Sequence, residues 1–146
     1  MKCKGDIMDK TILIVEDESS IRKFVKINLE RNGFKVFEAE SGEEALSIAR
    51  RENIDIAILD IMLPGIDGFQ VCKILRNEFP KMGIIMLTAK SQDIDKIMGL
   101  EYGTDDYMTK PFNPTELVLR VKSLARRIDS SSETEKSNLL ISLPFK

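Results

Sequence analysis

Asp60 closes the apolar run Ile56-Ala57-Ile58-Leu59. A carboxylate there is costly unless a metal, a cationic partner or covalent chemistry relieves it. Other apolar runs end in residues of complementary kinds: Glu16-Asp17-Glu18 after the first, Thr88 after another, and Lys110 after a short last one. Acidic groups brought together repel, and a hard divalent cation is the natural remedy. Oxygen donors without His or Cys favour Mg²⁺, which takes one or two carboxylates directly and keeps some of its water. Asp60 can then act as a nucleophile toward phosphorus, with Lys110 supplying positive charge and Thr88 a hydroxyl hydrogen bond to the phosphoryl oxygens. Singly, each residue has a plainer account. A strand-end Asp caps helices or shapes turns, Glu16-Asp17-Glu18 suits a solvated turn, and Thr88 is an ordinary β-branched strand end. Their combination and order carry the functional reading.

Positioning these residues requires alternating elements. Runs at 11–15, 34–38, 55–59, 83–87 and 106–108 predict strands, and segments at 19–32, 41–51, 67–79, 92–102 and 114–128 predict helices. Ile21, Val25 and Leu29 repeat at i+4, and Leu117, Val121, Leu124 and Ile128 make a similar stripe. Asn32-Gly33 and Tyr102-Gly103 mark helix stops, while Ser41 with Glu44 three residues on forms a capping box. Asp67 is expected to cap the third helix rather than bind metal. Continuous branched strands are the pattern of parallel strands covered on both faces. Five βα units with right-handed crossovers build an open, doubly wound α/β sheet, whose ligands bind outside the carboxyl ends of the strands. A closed eight-stranded barrel would need a longer chain.

Residues 1–10 read as an N-terminal extension and 11–128 as the folded domain. Residues 129–138 contain no apolar side chain and predict a flexible linker. The apolar stretch 139–146 reads as the start of a missing effector domain or as a short tail. The 146 residues carry a net charge of −2, which gives no general drive toward nucleic acid or membrane. No apolar stretch approaches the ~20 residues that span a bilayer. With no secretory signal either, a cytoplasmic protein without membrane contact is expected. Cys3 and Cys72, far apart and without a histidine, read as free thiols. The sequence contains no histidine, which excludes Ser-His-Asp and Cys-His catalysis and every His-ligated metal site. Any phosphohistidine chemistry must use another protein's imidazole.

Four segments, Ile14-Val15-Glu16-Asp17-Glu18, Leu59-Asp60-Ile61-Met62-Leu63-Pro64-Gly65-Ile66-Asp67-Gly68, Leu87-Thr88-Ala89-Lys90 and Asp105-Asp106-Tyr107-Met108-Thr109-Lys110-Pro111-Phe112, resemble the motifs of the receiver domains of two-component response regulators. The resemblance covers residues 10–128 and implies a flavodoxin-like sheet of five parallel strands in the order 2-1-3-4-5 with five helices. It implies that Asp60 accepts a phosphoryl group from a sensor histidine kinase. Asp17, Asp60 and the Met62 backbone carbonyl would bind Mg²⁺, with Glu16 acting through a water. Thr88 and Lys110 would hold the phosphoryl group. Tyr107 would be an aromatic switch that turns inward as Thr88 is drawn toward phosphate, although Tyr107 also reads as an ordinary half-buried strand aromatic. Met62 and Lys90 would flank the phosphate. Neither is a general base for water, so slow self-dephosphorylation is expected, and beyond self-catalysed transfer to Asp60 the chain is not an enzyme.

Among receivers, the chain is most similar to the winged-helix (OmpR/PhoB) subgroup. Lys96 with Glu116, Asp106 with Arg120, and Asp105 with Arg127 have the signs that pair across a two-fold dimer formed on phosphorylation. Such exposed pairs set register more than strength. DNA would be contacted only through an absent C-terminal domain, and the plain account of the basic residues in 114–127 is a solvated face. Thr104 stands where the family commonly has alanine, and a surface loop should tolerate its hydroxyl. Two alternatives stand beside this reading. One is a stand-alone receiver acting through protein contacts. The other is a Mg²⁺-dependent phosphohydrolase, which would want a second Asp where Met62 stands.

Overall fold

A computed structural model of the chain describes residues 10–89 and 103–142, with side chains through 129. Five parallel strands, β1 (Thr11–Val15), β2 (Lys35–Ala39), β3 (Ile56–Asp60), β4 (Gly83–Thr88) and β5 (Asp106–Thr109), form one sheet in the order β2-β1-β3-β4-β5. Four helices are described: α1 (Ser19–Arg31), α2 (Gly42–Arg51), α3 (Gly68–Glu78) and α4 (Pro114–Ser142). The fifth expected helix, over 92–102, lies outside the described residues.

The continuous apolar strands are explained by two cores. Leu13, Val15, Ala57, Leu59, Ile84 and Met86 point to one face and pack with Ala45, Leu46, Ala49, Val71, Cys72 and Leu75 of α2 and α3. Their neighbours Ile12, Ile14, Ile56, Ile58, Ile85 and Leu87 point to the other, against Val25 and Leu29 of α1 and Leu117, Val121 and Leu124 of α4. Successive residues of a strand face opposite sides, so a sheet buried on both needs apolar residues without alternation.

Caps fix the helix starts. Ser41 Oγ accepts from Glu44 N–H at 3.1 Å, as in the expected box, but the Glu44 carboxylate reaches one residue further back, to Glu40 N–H at 2.7 Å. Asp67 Oδ1 accepts from Gln70 N–H at 2.9 Å and caps α3. Gly33, after α1, has φ +91°, as a helix stop requires. The closest approach is at Gly68. A Cβ there would collide with the Asp60 carbonyl oxygen and lie 2.7 Å from Ile61 Cα, so glycine lets α3 begin hard against the end of β3.

Three details differ from the sequence expectations. Strands β2, β3, β4 and β5 each end one residue further on, because Ala39 pairs in register with Val15, Asp60 with Leu87 and Thr88 with Thr109. The polar residues are therefore the last members of the strands and not the first of the loops. Thr104 is buried rather than on an open loop, its hydroxyl donating to the carbonyls of Ile84 (3.2 Å) and Asp106 (2.9 Å). Finally, α4 continues to Ser142, so the backbone expected as a linker at 129–138 is helical, as is 139–142. No Gly or Pro interrupts the chain from 115 until Pro144, and Glu and Lys are good helix formers. Lys10 Nζ, at the foot of β1, meets Asp129 Oδ1 at 2.7 Å where α4 leaves the body.

Candidate functional site

Parallel order puts the carboxyl ends of β1, β3, β4 and β5 at one edge, and the polar residues read from the sequence gather there. Lys110, just past β5, extends its ammonium to Glu16 Oε1 at 2.6 Å and Asp60 Oδ2 at 3.1 Å. Its backbone N–H bonds to the Thr88 carbonyl at 2.8 Å, and the following Lys110–Pro111 peptide is cis. Asp60 Oδ1 accepts from Met62 N–H at 3.1 Å, and Glu16 Oε2 accepts from Glu18 N–H at 3.2 Å. Glu16, Asp60 and Thr88 are buried, with 1%, 4% and 1% of their surfaces exposed, whereas Asp17 is open to solvent.

Glu16, Asp17 and Asp60 each offer a carboxylate oxygen, and these lie within 4.8 Å of one another. Three carboxylates against one ammonium leave an excess of negative charge, and the donors are hard oxygens, so the residues fit Mg²⁺. The strain shows in the proton equilibria. Burial pushes the Glu16 carboxyl up to about 7, and the neighbouring Asp60 adds to this against the opposing ammonium of Lys110. For Lys110, burial works against the charge, but its hydrogen bonds to Glu16 and Asp60 and their negative charge outweigh it and raise the pKa.

Tyr107 is half-buried on β5, opposite Met86, and packs against the core shared with α3. With Phe112, Glu116 and Arg120 it lines an open groove of about 540 Å³. Of the residues expected at a dimer surface, several have partners within the chain. Arg120 reaches Asp106 Oδ1 at 2.7 Å and Glu116 Oε1 at 2.9 Å, and Asp105 Oδ2 meets Arg76 Nη2 at 2.8 Å. Arg127 is exposed on α4; Lys96 and Lys90 lie outside the described residues.

Two arginines escaped the sequence reading. Arg22 is buried beneath the acidic loop and donates to the Glu16 carbonyl at 2.7 Å. Arg76, on α3, donates to the carbonyls of Gly103 (2.9 Å), Pro80 (2.8 Å) and Met82 (2.7 Å) as well as to Asp105, tying α3 to the start of β5. Arg22 shares the buried face of α1 with Val25 and Leu29, and that spacing was the available signal.

The fold thus gathers an acidic cluster, a strand-end aspartate and a converging lysine at one edge of a doubly wound sheet. The chain belongs to the response regulator receiver domain family, whose model matches residues 12–122. It is 49% identical over 129 residues to the alkaline phosphatase synthesis transcriptional regulatory protein PhoP of Bacillus subtilis (strain 168), covering 88% of this chain and 54% of that protein. It is 44% identical over 142 residues to the transcriptional regulatory protein ResD of the same organism, covering 92% and 59%. The chain thus spans somewhat over half the length of these relatives. Among solved structures, the receiver domain of the Francisella response regulator 1452 matches with TM-score 0.75 and 38% identity, over 82% of this chain and 98% of that one. The response regulator TrrA of Thermotoga maritima, solved in complex with Mg²⁺-BeF, matches with TM-score 0.72 and 40% identity, over 79% and 98%. The expected strand order and the receiver assignment are borne out.

Proposed function

We propose that this receiver is a phosphorylation switch in which Asp60 takes a phosphoryl group from the phosphohistidine of a sensor kinase. The supporting observation is the setting of Asp60: a buried strand-end carboxylate, 3.1 Å from the Lys110 ammonium, within an oxygen cluster fit for a divalent cation. An Asp60 oxygen attacks phosphorus, the new P–O bond replaces the donor's P–N bond, and the electron pair leaves with the imidazole nitrogen. Asp17, Asp60 and the Met62 carbonyl would hold Mg²⁺, with Glu16 acting through a water. The cation supplies charge neutralisation to the phosphoryl oxygens. Lys110 adds a second positive charge and Thr88 a hydroxyl donor. Met62 is 56% exposed and offers water no base, consistent with slow self-dephosphorylation.

The output follows from what lies on the far side of β4. Drawing Thr88 toward the phosphoryl group favours an inward Tyr107, and the β5–α4 face then presents a different surface. Lys96 with Glu116, Asp106 with Arg120, and Asp105 with Arg127 are the pairs a symmetric dimer would use. The names of the relatives support transcription regulation as the output, carried out by a winged-helix DNA-binding part of the whole protein, and none of the described helices is long and apolar enough to cross a membrane. A cytoplasmic site of action fits a kinase-fed regulator of transcription. Incubation with a small phosphodonor and Mg²⁺ should add one phosphoryl group, mapped to Asp60 by mass spectrometry, and Asp60→Asn should abolish it. Undiminished labelling of the variant would refute the assignment.

A further inference from the structure

We propose that Arg22 is a positioning residue for the cation-binding end of β1, holding residues 16–18 in the form that aims Glu16 and Asp17 into the cluster. The inference rests on the phosphoacceptor reading above and adds to it a residue that touches neither the cation nor the phosphoryl group.

The Arg22 side chain is only 6% exposed, on the inner face of α1, and its guanidinium bonds in three directions. Nη1 donates to the Glu16 carbonyl at 2.7 Å, Nε to Glu38 Oε1 at 3.0 Å and Nη2 to Glu40 Oε1 at 3.3 Å. Glu38 is held in turn by Lys26 Nζ at 3.2 Å. A buried guanidinium is costly unless its charge and its N–H groups are all answered, and the acids at the end of β2 answer it here. An ion pair with β2 alone would be satisfied without Glu16. The shortest of the three contacts instead goes to the backbone carbonyl where β1 stops pairing.

The rest of the segment is clamped from the other side. Glu16 N–H donates to the Ala39 carbonyl at 3.1 Å, and the backbone N–H of Arg22 itself donates to the Glu18 carbonyl at 3.0 Å. The turn bearing Glu16 and Asp17 is therefore gripped at both ends by one residue, through its side chain at Glu16 and its main chain at Glu18. Groups that orient ligands from behind commonly matter to metal affinity almost as much as the ligands do. A lysine could supply the charge, but its donors sit on one nitrogen and lack the rigid fork that reaches three separated acceptors.

The test is Mg²⁺ affinity of the whole chain by titration calorimetry, on protein shown to be folded by circular dichroism and a cooperative melt. Arg22→Gln should raise the dissociation constant about tenfold, the lower end for such supporting groups. Glu38→Gln should raise it severalfold although Glu38 touches no site residue, Arg22→Lys should recover part of the loss, and the double variant should be no worse than Arg22→Gln alone. A lowered melting temperature with an unchanged dissociation constant in either single variant would overturn the proposal; if Arg22→Gln does not fold, Glu38→Gln alone decides. Asp17→Asn separates the two levels. If wild-type binding of Mg²⁺ is absent or indifferent to Asp17→Asn, the phosphoacceptor reading fails and takes this inference with it. If Asp17→Asn weakens binding and the Arg22 and Glu38 variants do not, only the role of Arg22 is lost.

Discussion

Glu16 should make the stability of the metal-free domain fall as pH rises through neutrality, and Glu16→Gln should remove that dependence. The folded chain raises the Glu16 carboxyl from the ordinary 4.5 to about 7, through burial first and Asp60 second. A raised carboxyl pKa means the folded state binds the proton more tightly than the unfolded state. The resulting stability is present below pH 4.5 and lost as pH climbs through 7. Integrating proton linkage from pH 5 to 7 gives a loss of about 2 kcal/mol, set against a typical total of roughly 5–15 kcal/mol. The window is clean, because the chain has no histidine, and the carboxyl of Glu38 is lowered and titrates below it. Urea unfolding in EDTA at half-unit steps from pH 5 to 7 would measure the slope in wild type and in Glu16→Gln. Parallel profiles for the two proteins would refute the reasoning. Saturating Mg²⁺, by favouring the carboxylate, should flatten the wild-type slope and raise stability at pH 7 by mass action.

Gly68→Ala should destabilise the fold by about 1–3 kcal/mol, since its Cβ has no room beside the Asp60 carbonyl, and should slow labelling of Asp60; wild-type values of both would show that α3 can back away. Arg76→Ala, which removes the donor from the part-buried carbonyls of Gly103 and Met82 and leaves Asp105 with the Ile84 N–H, should cost about 2 kcal/mol in urea unfolding, and a loss under about 0.5 kcal/mol would show the clamp to be ornamental. Beryllofluoride with Mg²⁺ should shift the chain toward dimer in sedimentation, and Arg127→Glu should weaken that shift; a monomer unchanged by beryllofluoride would count against the charge-pair surface.

Much of the site was legible because strand-end chemistry leaves a sequence mark. Asp60, Glu16 and Lys110 each follow an apolar run, and parallel order forces such ends to one edge, so their meeting needed no knowledge of distances. Arg22 and Arg76 left no comparable mark. Arginine on an amphipathic helix ordinarily faces water, and each of the two bonds to backbone carbonyls, which every residue has, with Arg76 doing so at three of its four partners. The end of β3 was misjudged by one residue because a strand stops where its neighbour stops pairing, and only the Asp60–Leu87 register decides that. The reach of α4 was hidden for the opposite reason. A segment without apolar residues offers no periodicity to read, yet it contains nothing that breaks a helix. Asp106 and Arg120 were read as a pair across a dimer; within this chain they bond to each other, and charge signs alone do not say whether partners belong to one molecule or two.

The internal pairing of the charges on the β5–α4 face changes what docking there would mean. Arg120 is shared among Asp106, Glu116 and the Tyr107 carbonyl, and Asp105 is held by Arg76. A second molecule arriving at this face finds these charges occupied, so association proceeds by swapping partners and not by filling vacancies. In a swap, bonds broken and bonds formed nearly cancel, and net attraction falls to apolar contacts such as the exposed Leu119. What remains for the charges is a veto. A partner whose groups match the exchanged set is accepted at little cost, while one that breaks an internal pair without replacing it must bear an unanswered ion. A small displacement of β5 would then alter which partners pass before it alters how tightly any of them binds.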